Sequence, residues 1–229
     1  MAKHGKKFRK AQEKVIINKY YSLDKACNLV KTTKSAKFDE SVDVAINLGV
    51  DPRHAEQMVR GIVSLPHGIG KKIKIAVFAK GLLANEAIEA GADIVGGDEL
   101  AQKIQKGFLE FDKVISSPDM MIVVGKLGRI LGPKGMMPNP KFGTVTKDVA
   151  KAVKDIKNGK IEYKVDKSGT LHCTIGRASF SAENLKINLK TLLNSILKAK
   201  PISIKGQYLK KATISLTMGP GIKLDLTQD

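Results

Sequence analysis

Gly61-Ile62-Val63-Ser64-Leu65-Pro66-His67-Gly68-Ile69-Gly70-Lys71-Lys72-Ile73-Lys74-Ile75-Ala76-Val77-Phe78-Ala79 is the stretch on which the fold turns. Its first five residues predict a short strand stopped by Pro66, whose ring offers no N–H to a ladder. From His67 the texture changes. Ile73 and the run Ile75–Ala79 are nearly continuous in apolar residues, the pattern of a strand buried on both faces, as in a parallel sheet covered by helices. Between the two lies Gly68-Ile69-Gly70-Lys71-Lys72. It lacks the longer glycine-rich span of a phosphate loop, no Ser or Thr follows either lysine, and the strand comes after it instead of before. It is read as a turn between domains.

Downstream, the doubly buried texture persists. Leu83–Ala90 predicts a helix closed by Gly91, Ala92–Val95 a short strand ended by Gly96-Gly97, Glu99–Lys106 a helix, Val114–Ser116 a strand, and Pro118-Asp119 the start of a helix through Val124. Strand, helix, strand, helix, strand at this spacing predicts a small Rossmann-like α/β domain over residues 68–159. Within it, Leu127–Phe142 carries Gly128, Gly132, Pro133, Gly135, Pro138 and Pro140, which disfavour regular structure, and is expected to be an ordered or functional loop. A helix is expected over Thr144–Lys157, ended by Gly159.

Upstream and beyond, half-buried patterns dominate. A first helix is expected from Phe8 to Lys19 and a second after Ser22, a residue suited to an N-cap, with Asp24 in its first turn. Val42, Val44, Ile46 and Leu48 alternate with Asp43, Ala45 and Asn47, giving a strand with one buried face. Gly49 and Asp51-Pro52 end it, and a short helix is expected at Arg53–Met58. After Gly159, Ile161, Tyr163 and Val165, the turn Asp166–Gly169, and Leu171, Cys173 and Ile175 predict a hairpin. Ser181 is expected to cap an amphipathic helix carrying Leu185, Leu189, Leu192, Leu193, Ile196 and Leu197, stopped by Pro201. A last strand sets Ala212, Ile214, Leu216 and Met218 on one face and Thr213, Ser215 and Thr217 on the other. Residues 1–67 and 160–229 are therefore expected to build one discontinuous α+β domain with an antiparallel sheet, the α/β domain being inserted between them.

Charge indicates the partner. The 229 residues hold 40 basic and 22 acidic side chains, a net +18. Residues 68–159 carry 15 basic and 10 acidic residues, so most of the excess, +13, sits on the two chain ends. Such an excess says nothing of fold but favours a polyanion. No apolar stretch approaches membrane-spanning length, no basic amphipathic helix with a bulky apolar face is evident, and Trp is absent, so nucleic acid is expected and a membrane is not. The basic N-terminus, Met1–Lys10, has no apolar core after it, and a cytoplasmic protein is expected. Aromatic residues make up 5% of the chain and do not cluster on strands, which favours folded RNA over stacked single strands. The hydroxyl row Thr213, Ser215, Thr217 suits phosphates and 2′-hydroxyls.

Catalytic constellations are not evident. His4, His54, His67 and His172 have no local metal-ligand partner, and Ser116-Ser117 lacks a nucleophile-elbow setting. Asp98, Glu99 and Asp119 are most simply helix caps. Cys27 and Cys173 are too isolated for a metal site, and His172 and Cys173, adjacent on a strand, point to opposite faces. No enzyme activity, cofactor or metal is expected. The competing reading is a metabolic enzyme using the α/β domain for a nucleotide; another is a free regulator acting only on messenger RNA.

Lys37-Phe38-Asp39-Glu40-Ser41, Gly61–Gly68, Gly128-Arg129-Ile130-Leu131-Gly132-Pro133-Lys134-Gly135 with Pro138-Asn139-Pro140, and Thr217-Met218-Gly219-Pro220 occur in this order across nearly the whole chain. Together they resemble the L-one family of large-subunit ribosomal proteins, in its bacterial form. The resemblance implies two domains joined by a hinge, binding to a large-subunit ribosomal RNA junction as the mobile stalk that moves with exit-site transfer RNA, and repression of its own operon messenger RNA. It implies a monomer off the ribosome. Carried over by motif, the RNA-binding residues are Lys37, Phe38, Ser41, Thr217, Met218 and Gly219, with Asp166, Lys167 and His172 on the hairpin. Lys37 and Lys167 would meet phosphates, Ser41 and Thr217 2′-hydroxyls, and Phe38 and Met218 sugars, while Gly219 would allow close backbone approach. The loop around Gly132 would be a secondary contact.

Overall fold

The computed structural model describes residues 5–16, 18–204 and 206–226, with the side chain of Ala55 set aside. His4 and Ile17, and with them part of the first expected helix, lie outside these residues. The chain divides into two compact units, Met1–Gly70 with Ile161–Asp229, and Lys71–Lys160.

In the inserted unit, β3 (Ile75–Phe78), β4 (Ile94–Gly96) and β5 (Lys113–Ser116) form a parallel sheet in the order β4-β3-β5. All four residues of β3 are buried, because alternate side chains enter two different cores. Ile75 and Val77 meet α3 (Leu82–Glu89) and α7 (Val149–Lys157) through Ala87, Val149, Val153 and Ile156. Ala76 and Phe78 meet α4 (Asp98–Gln105), α5 (Met121–Gly125) and α6 (Gly128–Leu131) through Leu100, Ile104, Val124 and Leu131.

The helix expected from Thr144 begins only at Val149. The β-branched run Thr144-Val145-Thr146 stays extended: Val145 bridges Ser116 in parallel, and the Ser116 and Thr146 N–H groups donate to Thr144 and Ser116 carbonyls at 2.9 and 3.2 Å. Leu127–Phe142 is ordered, as expected, but holds more regular structure than its composition suggests. Fully buried Leu127 and Leu131 hold the one-turn α6, and a Cβ at Gly132 would lie 2.6 Å from the Gly128 carbonyl oxygen, so only glycine fits this close return. A 3₁₀ turn at Pro140–Phe142 is capped by Asn139, whose side chain accepts from the Lys141 N–H at 2.9 Å.

In the discontinuous unit, β1 (Ser41–Leu48), β7 (Thr170–Arg177), β8 (Leu209–Leu216) and β9 (Ile222–Leu224) form an antiparallel sheet ordered β7-β1-β8-β9. Val42, Val44, Ile46 and Leu48 alternate into a core with Leu171, Ile175, Ile214 and Leu216, closed by α2 (Leu23–Thr32) and α8 (Ala182–Lys198). Ser181 caps α8, its hydroxyl accepting from the Asn184 N–H at 3.1 Å, whereas Ser22 precedes α2 without a side-chain cap. Leu197, expected among the buried residues of α8, is half exposed.

Four further elements differ from expectation. Helix α1 (Lys6–Gln12) stops short of Lys19, because tight turns at Lys14 and Val15 drop Val15 into the core. Arg53–Met58 holds a single 3₁₀ turn at Ala55–Gln57. The hairpin exists only at its tip: β6 (Lys160–Lys164) pairs with β2 (Arg60–Ser64), β7 pairs with β1, and the two touch through one Val165–Leu171 bridge. Alternation establishes a strand but leaves its partner open. The last strand ends at Leu216, so Met218 is not a core residue; Gly219-Pro220-Gly221 then turns the chain into β9, which no run in the sequence announced.

Candidate nucleic-acid interface

The helices of the discontinuous unit cover one face of the antiparallel sheet. The other carries Asp43, Ala45 and Asn47 of β1, with Thr174, His172 and Thr170 opposite them on β7, and Ser215, Thr213 and Lys211 on β8. Lys223 of β9 extends the row at Thr213. The Thr174 hydroxyl donates to Asp43 at 2.6 Å. Small polar groups with cationic edges leave a flat surface that phosphates and sugars can approach closely.

At the end of this face where β1 begins, two segments from opposite ends of the chain meet. The Ser41 N–H donates to the Thr217 Oγ1 at 3.1 Å, and the Thr217 N–H donates back to the Ser41 carbonyl at 3.2 Å. Lys37, Phe38, Thr217 and Met218 are exposed; Phe38 and Met218 retain 54% and 56% of their accessible surface. Two apolar side chains thus lie open to solvent near the basic Lys37. Gly219 sits behind them, its N–H on the Leu216 carbonyl at 3.1 Å, and a Cβ there would press on the Leu216 Cβ at 3.1 Å.

Two consecutive acids and an arginine, unassigned from sequence, hold this arrangement. Asp39 accepts from the Ser179 N–H at 3.0 Å and its hydroxyl at 2.9 Å. Glu40 is fully buried and accepts from the Ser35, Ala36 and Met218 N–H groups. Arg177 on β7 donates to the Asp39 carbonyl at 3.0 Å and to the Ser41 hydroxyl at 3.3 Å. Asp39 and Glu40 stand in a recognisable motif, but the sequence does not tell which acid is buried, and the reach of Arg177 depends on strand register.

Asp166, Lys167 and His172 do not join this cluster. Ser41 pairs with Arg177 and Asn47 with Thr170, so the Asp166–Gly169 turn lies at the other end of β1. Six residues at roughly 3.3 Å each separate the two ends by about 20 Å. Asp166 organises its turn, accepting from the Ser168 hydroxyl at 2.7 Å and from the Ser168 and Thr170 N–H groups at 2.9 Å. The Ser168 hydroxyl, then these amides, hold its carboxyl below the usual range. Lys167 is exposed, and His172, opposite Ala45, lies 3.8 Å from the Asp166 carboxylate.

Both cysteines are buried away from this face, and burial pushes their thiols up to about 11 for Cys27 and about 12 for Cys173. Among the described residues, no group of three or more His, Cys, Asp or Glu side chains is placed to hold a metal ion, and no helix is long and apolar enough to cross a membrane.

The model of the ribosomal protein L1p/L10e family matches residues 29–220, which include both halves of the interface and the whole inserted unit. The chain belongs to this family: it is a structural ribosomal protein of the large subunit that binds ribosomal RNA, and it is not an enzyme. The reading of the α/β unit as a metabolic nucleotide site is thereby set aside.

Proposed function

We propose that the open face of the antiparallel sheet is the surface on which this family member holds large-subunit ribosomal RNA, with the Lys37–Ser41 segment and the Thr217–Gly219 turn as its centre. The observation that carries this reading is their meeting: segments 176 residues apart, joined through Ser41 and Thr217, present Lys37, exposed Phe38 and exposed Met218 together. Lys37 meets phosphate, Phe38 and Met218 pack on sugars, and the Ser41 and Thr217 hydroxyls bond 2′-hydroxyls. Lys167, about 20 Å away along β1, and His172, about 13 Å away opposite Ala45, touch the same RNA where it runs along the strands. Residues 1–67 and 160–229 form the RNA-binding domain, and the loop around Gly132 in the 68–159 domain adds a secondary contact.

The resemblance set out above supports the wider role. The bound RNA is the stalk junction, the stalk moves as transfer RNA leaves the exit site, and a similar junction in the chain's own operon messenger RNA is the target of repression. Off the ribosome the protein is a monomer.

Thr217→Val tests the centre. It removes the acceptor of the Ser41 N–H together with the hydroxyl offered to RNA, so ribosomal RNA affinity falls by about 1 kcal/mol or more while the fold persists. Binding indistinguishable from the unaltered protein would remove Thr217 from the site. Because phosphate contacts release counterions, affinity for the junction falls steeply with added salt.

A further inference from the structure

Glu40 is a carboxylate with no accessible surface. Among the described residues no cation pairs with it; its partners are three backbone N–H groups. One oxygen accepts from Ser35 at 3.2 Å and Ala36 at 3.0 Å, and the other from Met218 at 3.0 Å. A buried carboxylate without a cation persists only where such donors replace its water. Those donors come from both sides of the interface: the loop leading into Lys37-Phe38, and the turn carrying Met218. The Glu40 carbonyl accepts from the Ala178 N–H at 2.8 Å, and neighbouring Asp39 fastens to Ser179. Successive acids thus anchor one loop to two different segments, as alternation along an extended chain allows.

We infer that Glu40 is a positioning residue for RNA recognition: without touching RNA, it fixes the Lys37-Phe38 loop and the Met218 turn in one preformed geometry. This rests on the reading of those two segments as the RNA contact. A carboxylate is required because the amide of glutamine keeps one acceptor oxygen and replaces the other with a donor, which cannot receive the Met218 N–H if the oxygen serves Ser35 and Ala36.

The test uses full-length protein and a ribosomal RNA fragment spanning the stalk junction, at a temperature where each variant is folded. Glu40→Gln lowers affinity about tenfold or more, while the slope of log affinity against log salt falls by no more than about one, the share of the single phosphate contact at Lys37. Combined with Thr217→Val, it lowers affinity by less than the product of the two single factors, because both substitutions release the same turn. A purely structural role would give unchanged affinity in the folded variant, or factors that multiply, and either result overturns the proposal. Phe38→Ala separates the levels: weakened binding there with normal binding by Glu40→Gln sinks the positioning role alone, whereas normal binding by both sinks the RNA contact as well. Should Glu40→Gln not fold, amide exchange in the unaltered protein decides. Protection of the Ser35, Ala36 and Met218 amides before RNA is added supports a preformed site; fast exchange there that slows only with RNA overturns it.

Discussion

The two sheets of this protein use the same material to opposite ends. β3 in the inserted unit is buried at all four positions and feeds a core on each face, while β1 in the discontinuous unit is buried at every second position and keeps one face polar. A sheet sandwiched between helices offers only its ends and its helices to a partner. A sheet covered on one side offers a broad, stiff surface on which side-chain positions are set by the pleat. The proposed position of the RNA surface is thus the one that the number of covered faces favours, before any single contact is considered.

The strongest way to break this comparison is to damage the covered sheet and ask whether the open one notices. Phe78 is fully buried between β3 and the helices α4 to α6. Phe78→Ala destabilises the inserted unit by about 3–5 kcal/mol. If the RNA surface resides in the discontinuous unit, junction binding at a temperature where that unit is intact changes little. Calorimetry and a binding titration on the same preparation check this, and loss of binding in parallel with the inserted unit's stability would show that the open face does not act alone.

A narrower test stays within one strand. Ile214 is buried beneath β8 and Ser215, the next residue, lies on the polar face opposite Asp43. Ile214→Ala costs about 2–5 kcal/mol of stability. Ser215→Ala changes stability by no more than about 0.5 kcal/mol, yet it weakens RNA binding. Denaturation midpoints and RNA affinities for the pair should fall out of step; if Ser215→Ala binds normally, the contact shrinks to the Ser41–Thr217 end of the face.

The contrast between the sheets was legible in the sequence because side-chain period reports burial directly: Val42 to Leu48 alternate, Ile75 to Ala79 do not. What stayed hidden depends on partners distant in the chain. Ile161-Tyr163-Val165 alternates as a hairpin strand would, but its partner is β2, brought in by the tertiary fold. Val145 looked helical until Ser116 offered it a parallel bridge. Met218 continued the apolar alternation of β8 by count, and lost its place in the core when the strand ended at Leu216. The site shows the same division. The exposed residues of the proposed site stand in motifs that resemble a known family, whereas the roles of Glu40 and Arg177 emerge only when residues 136 to 178 positions apart are brought together.

The smallest expected effect concerns how each unit ties its loops. Asp112 in the inserted unit resembles Glu40 in plan: one oxygen accepts from the Lys71 ammonium at 2.6 Å, the other from the Lys74 N–H at 3.1 Å, joining the start of the unit to the approach of β5. Its side chain, however, is 36% exposed, so water can replace either partner. The Lys71 hydrogen bond, and then the Lys74 amide, hold its carboxyl below the usual range. A folded-state pKa below the unfolded value gives stability that is fully present above about pH 4, and is lost as pH falls through the depressed folded value. Asp112→Asn should therefore cost under about 1 kcal/mol at pH 7, as exposed ion pairs do. The gap between variant and unaltered protein should narrow as the solution is acidified below about pH 4. Unfolding of the inserted unit followed across that range checks the sign. A gap that keeps its size in acid would mean that Asp112 acts by packing instead of charge, and the difference drawn between a buried and a solvated carboxylate would lose its electrostatic basis.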